Sequence, residues 1–160
     1  MSAPEAEPRW LDDAQLVAWR RFVAVVELVP GVLDSQLRQD ARLTHFEYFT
    51  LAMLSEADQH SLRMSQLAAE TNSTLPRLSH VVSRLEDRGF VQRATAARDR
   101  RSTNVTLTEA GWQKVVETAP GHAATVREYV IDPLDSTDVA DLARIAAKML
   151  TRLDPDGRMH

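Results

Sequence analysis

Apolar side chains at Leu16, Trp19, Phe22, Val23, Val26, Val29, Val32, Leu33 and Leu37 recur at steps of three and four. That is the helical period, and it predicts a helical segment from Trp10 to about Asp40. Pro30-Gly31 interrupts it, so a kink or two abutting helices are expected there. Thr44-His-Phe-Glu47 has the spacing of a capping box and opens a second helix to about Leu54, followed by a polar connector through His60. A short helix from about Met64 to Thr71 turns Leu67 and Ala68 inward. After a brief turn, Thr74 is placed as an N-cap with Pro76 in the first helical turn. The helix it opens carries Leu78, Val81, Val82 and Leu85 on one stripe and ends at Arg88-Gly89, where glycine supplies the left-handed terminating residue. Phe90–Arg93 and Asn104–Leu107 read as two short strands around a charged loop. Thr108 caps a helix running towards Tyr129 with a bend at Pro120-Gly121, and a last helix is capped near Asp135 or Ser136 and runs to about Leu153. The order is ααααββαα, a mostly α (α+β) chain.

Length and composition narrow this further. The 160 residues suit one domain or two small lobes sharing a core. No apolar run reaches the ~18 residues of a membrane span, and the start of the chain is acidic rather than signal-like. With no cysteine there is no disulfide, thiolate nucleophile or cysteine metal site, and a cytoplasmic location is expected. The net charge of −4 argues against a polyanionic partner until its distribution is considered. Between Arg63 and Arg101 there are eight basic and four acidic residues, a local +4, which leaves −8 for the remainder. The basic block is all arginine, whose planar fork suits phosphate and guanine. The excess of arginine over lysine throughout reads as the coding bias of a GC-rich bacterial genome.

The chemistry is concentrated between residues 64 and 111. A short helix, a tight turn at Asn72 and a longer helix have helix-turn-helix geometry, in which the second helix lies in a DNA major groove. Its solvent face carries Arg77, Ser79, His80, Ser83, Arg84 and Arg88; taken alone, such a face is equally read as ordinary solvated surface. Beyond it, Arg98-Asp99-Arg100-Arg101 lies between the two short strands. Three arginines on a hairpin tip repel one another on a free surface, but a minor groove attracts them, with Asp99 orienting Arg101. The plain alternative is a solvated β-turn.

These residues resemble the MarR-type winged-helix transcriptional regulators. The resemblance is carried by Leu67-Ala68-Ala69-Glu70, by Val81-Val82-Ser83-Arg84-Leu85-Glu86-Asp87-Arg88-Gly89-Phe90-Val91, by Arg98–Arg101, and by Val105-Thr106-Leu107-Thr108-Glu109-Ala110-Gly111. Ala96-Ala97 departs from it, since many relatives have Asp-Pro before the wing arginine. The resemblance implies a winged helix-turn-helix lobe over 43–111 and a helical dimerisation region over 10–42 and 112–153, with tails at 1–9 and 154–160. It implies a homodimer that binds a pseudo-palindromic double-stranded DNA operator, repression being the usual mode. Arg77, Ser79, His80, Ser83 and Arg84 are then the recognition-helix residues, and Arg98, Asp99, Arg100 and Arg101 the wing residues. Arg84 and Arg88 serve either phosphate or the structure of the lobe. The outer helices carry Trp10, Trp19, Phe22, Ile131, Leu142, Ile145, Met149 and Leu150, more apolar surface than one thin helical layer buries alone.

The resemblance also implies a small aromatic or anionic effector between the dimer helices and the lobe, for which Trp19, Phe22, His45, Phe49 and His122 are the positional candidates. Each has a plain reading as well: packing for Trp19 and Phe22, an exposed first-turn residue for His45, a histidine satisfied by a backbone carbonyl for His122. The five histidines share no i,i+4 pairing and stand beside no cysteine, so no metal is expected. Neither Gly-Xaa-Ser-Xaa-Gly, a phosphate-cradling glycine loop nor His-Glu-Xaa-Xaa-His is present, so no catalytic residue and no cofactor is expected either. The competing class is a winged-helix module that binds protein instead of DNA, for which the wing arginines would have no use.

Overall fold

The computed structural model describes residues 8–96 and 99–159, with the side chains of 96 and 99–101 outside that description. The elements run α1 (Asp13–Ala41), α2 (His45–Glu56), β1 (Ser61–Arg63), α3 (Met64–Glu70), α4 (Leu75–Asp87), β2 (Val91–Ala96), β3 (Asp99–Leu107), α5 (Glu109–Val126) and α6 (Ser136–Leu153). A 3₁₀ turn (Asp58–His60) follows α2, and a π-helical turn (Arg127–Ile131) follows α5.

Three local signals act as the sequence predicts. The Thr44 hydroxyl accepts the Glu47 amide at 3.1 Å while the Glu47 carboxylate accepts the Thr44 amide at 2.8 Å, closing the capping box of α2. Asn72 takes a positive φ of 46° in the turn between α3 and α4, and the Thr74 hydroxyl caps α4. Gly89 ends that helix at φ 77°, and the Phe90 amide reaches back to the Leu85 carbonyl at 2.9 Å.

Two proline expectations are corrected. α1 passes Pro30-Gly31 as one helix, and α5 likewise passes Pro120-Gly121. In each, the carbonyl that loses its donor belongs to an exposed residue, Val26 or Val116, so water replaces the missing bond and no break is forced. β1 is an addition to the predicted elements. Its three residues are too few for an alternation signal, yet it pairs antiparallel with β3 in the register Leu62↔Val105, giving the sheet order β1-β3-β2.

The core gathers Leu43, Leu51 and Leu54 below α1, Leu67 of α3, the stripe Leu78, Val81, Val82 and Leu85 of α4, and Val91 and Val105 of the sheet. Leu37 and Ala41 of α1 and Val115 of α5 close it. Gly111 is required by close approach: a Cβ there would stand 2.1 Å from the Phe90 carbonyl oxygen. The Thr108 hydroxyl also donates to the Gly89 carbonyl at 2.6 Å, so α5 starts locked against the end of α4. Among the described residues no helix is long and apolar enough to cross a membrane.

Candidate nucleic-acid interface

Because the apolar stripe of α4 turns inward, its other side faces out from the lobe. Arg77 and His80 are exposed, while Ser79 and Ser83 are half-buried. The two flanks of the helix differ. Ser79 faces the sheet, lining a groove with Met64, Arg93, Thr95 and Thr103. Arg77, His80 and Arg84 face α1 and the start of α2 across a cleft of about 590 Å³, whose far wall includes Pro30, Asp34, Arg38 and His45. The Arg77 guanidinium lies 4.4 Å over the Phe46 ring, a cation–π contact that holds it towards α2.

Arg84 is anchored in the lobe. Its Nε donates to Glu47 Oε1 at 3.0 Å, and Arg88 Nη1 stands 3.9 Å from Glu47 Oε2. Glu47 itself is 5% exposed. Burial alone would raise its carboxyl group, but the Thr44 amide and the Arg84 guanidinium overcome that and hold it below its ordinary range. One buried carboxylate thus ties the α2 N-terminus to the last turns of α4. Arg88 also stacks over Phe90, its guanidinium 4.9 Å from the ring centre.

A second clamp joins α4 to the sheet. Glu86 accepts the Arg93 backbone amide and Arg93 Nε, both at 2.8 Å, and Arg93 Nη2 is 2.7 Å away. The Arg93 amide, then its side chain, lowers the Glu86 carboxyl group. Recognition helix and wing base are therefore held in one fixed relation. In the wing, the backbone of Asp99, Arg100 and Arg101 is the start of β3, opposite Ala96. Their side chains, and Arg98 altogether, lie outside the described residues.

Of the effector candidates, three come together and two stand apart. His45 and Phe49 stack with ring centres 6.4 Å apart, and His122 tilts over Tyr48 at 4.7 Å. The His45 amide donates to Asp34 Oδ1 at 2.8 Å, and Asp34 also receives Arg38, so this carboxylate links α1 to α2. Burial lowers the basicity of His45, and burial together with the charge of His45 lowers that of His122. His122 Nδ1 is buried without a hydrogen-bond partner, so the expected carbonyl contact is not made. Trp19 and Phe22, with ring centres 6.3 Å apart, sit on the outer half of α1 and are 53% and 44% exposed. Among the described residues no three His, Asp or Glu side chains are grouped as a metal site.

Sequence reasoning passed over the partners that hold the interface. Glu47 was legible as a cap but not as the counter-charge of Arg84, 37 residues away. Glu86 and Arg93 flank a helix–strand turn, where no periodicity relates them. Phe46 looked like simple packing, and Leu75 fell outside the apolar stripe.

Comparison with known proteins agrees with this geometry. The model of the MarR family matches residues 43–103. The structure superposes with a TM-score of 0.89 on Sco3205 from Streptomyces coelicolor, a MarR family transcriptional regulator in complex with DNA, at 36% identity and 94% coverage of both chains. AbsC, a MarR family regulator of the same organism, gives 0.85 at 36% identity, covering 91% of this chain and 98% of its own. The HTH-type transcriptional regulator YdcH of Bacillus subtilis is 31% identical over 121 residues, 74% of this chain and 75% of its own. The transcriptional repressor MprA of Escherichia coli is 28% identical over 107 residues, 67% of this chain; the match spans 60% of the length of MprA. A motif match across the lobe, relatives of this similarity and a superposition that includes the flanking helices lead to one conclusion: this chain belongs to the MarR family.

Proposed function

We propose that the protein is a homodimeric transcriptional regulator that binds a pseudo-palindromic double-stranded DNA operator, acting as a repressor. The observation that carries this reading is the pairing of an exposed polar α4 face, Arg77, Ser79, His80 and Ser83, with a wing sheet clamped to the same helix by Glu86 and Arg93. A helix so presented fits a major groove, and arginines at the hairpin tip fit the neighbouring minor groove. The DNA complex of Sco3205 and the name of MprA support the same reading. Arg84 takes the role of a strut through Glu47, leaving Arg77, Ser79, His80 and Ser83 as the base-facing set, with Arg98, Arg100 and Arg101 in the wing. The dimer is supported by apolar side chains left open on the arms, among them Leu28, Leu142, Ile145 and Met149. The cleft between α1 and α4 is lined by Arg38, His45, Arg77, His80 and Arg84, cationic walls that fit a small anionic effector.

Fluorescence anisotropy on duplexes tiled across the region upstream of the gene, beside scrambled duplexes and at two salt concentrations, tests this. One tile is expected to bind roughly a hundredfold or more tighter than scrambled DNA. Equal, salt-sensitive binding to every tile would instead favour a protein-binding module.

A further inference from the structure

Among the described residues of the lobe, 43–107, one large hydrophobic side chain is exposed: Leu75, at 50%. Every other leucine, valine, phenylalanine, tyrosine and methionine there is buried or half-buried. Leu75 is the first residue of α4, and the Thr74 cap fixes where the helix begins. Thr74, Pro76 and Arg77 beside it are exposed too, so the whole first turn is presented to solvent. It is the N-terminal end of a recognition helix that reaches base edges. Arg77, the residue there with the longest reach, is held back over Phe46 on the α2 side. Leu75 lies on the opposite flank, one turn before Ser79, and is not packed on the core. An isopropyl group offers no hydrogen bond to a base. The one apolar feature on a major-groove edge is the thymine C5-methyl.

We infer that Leu75 is a specificity-determining residue that reads a thymine methyl group in each half-site of the operator. The inference rests on the DNA-binding reading above. Removing a methyl contact of this kind corresponds to about a fourfold loss of affinity per half-site. Leu75→Ala keeps a good helix former at the first position and leaves the core untouched, so its thermal unfolding is expected to match the parent.

The test begins with a duplex selected by the protein from a randomised pool. Each thymine of that duplex is replaced in turn by deoxyuridine, which lacks only the methyl group. The parent protein is expected to lose about fourfold per half-site at one symmetric thymine position, and Leu75→Ala to be insensitive there while keeping its response to substitutions elsewhere. A parent indifferent to uracil at every position, or a Leu75→Ala protein with the same uracil penalty, overturns the inference and leaves the regulator reading standing. Failure of the pool to converge on any sequence overturns both.

Discussion

The winged lobe and the helical arms are made of similar residues but stand differently towards solvent. In the lobe, helices of 7, 12 and 13 residues and a three-stranded sheet close over leucines and valines with no accessible surface. The arms are longer, yet α6 has no buried residue among its 18, and the 29 residues of α1 bury only Leu33, Leu37 and Ala41 near its C-terminal end. The lobe is completed by its own chain, whereas the arms display an apolar stripe that a second surface must cover. The charge division runs the same way, with arginine gathered in the lobe and the acidic excess elsewhere. A protein so divided reads DNA with the part that is stable alone and assembles through the part that is not.

The sharpest way to break this comparison is a charge in the arm. Ile145→Asp on α6 is expected to turn a dimer into a monomer in sedimentation experiments while the lobe stays folded. At about 3 kcal/mol for each unpaired buried charge, and with the substitution present twice, the penalty is about 6 kcal/mol. An unchanged sedimentation coefficient would remove α6 from the interface. In the lobe, Leu85→Ala is expected to lower stability by about 2–5 kcal/mol in urea unfolding, through the cavity it leaves. Arg101→Ala is expected to leave unfolding unchanged and weaken operator binding by about 1–3 kcal/mol, read by anisotropy.

Acid probes the seam between the regions. His45 and His122 have basicities held below the ordinary value of 6.5 by burial, so the unfolded chain takes up protons first. Their contribution is intact above pH about 6.5 and is lost as pH falls from there through the folded-state values. The midpoint of thermal unfolding is therefore expected to drop between pH 7.5 and 5.5, and to drop less in His122→Asn. The smallest effect compares two glycines. A Cβ at Gly31 in α1 meets nothing within 4 Å, so Gly31→Ala is expected to gain about 0.5–1 kcal/mol. Gly111→Ala, which would strike the Phe90 carbonyl, is expected to lose stability. A loss at Gly31 as well would reveal a partner helix packed there.

Local rules carried much of the fold. The capping box at Thr44, the positive φ at Asn72 and Gly89, and the stripe of α4 depend on residues within a turn of one another, so the chain determines them without distant help. What failed locally failed for stated reasons: prolines that cost a hydrogen bond on a wet face, and a three-residue strand that exists because β3 offers it a ladder.

By itself, the sequence determined the order of helices, the helix-turn-helix with its wing, and the division of charge, because periodicity, caps and composition are properties of neighbours along the chain. Only the tertiary structure decided which arginines are free to meet DNA. Arg84 and Arg93 look no different in sequence from Arg77, but folding sets each against a carboxylate on another element, Glu47 and Glu86, and so fixes them as struts. Leu75 became conspicuous in the same way. Exposure depends on what the rest of the chain covers, and that is settled only when the core has closed.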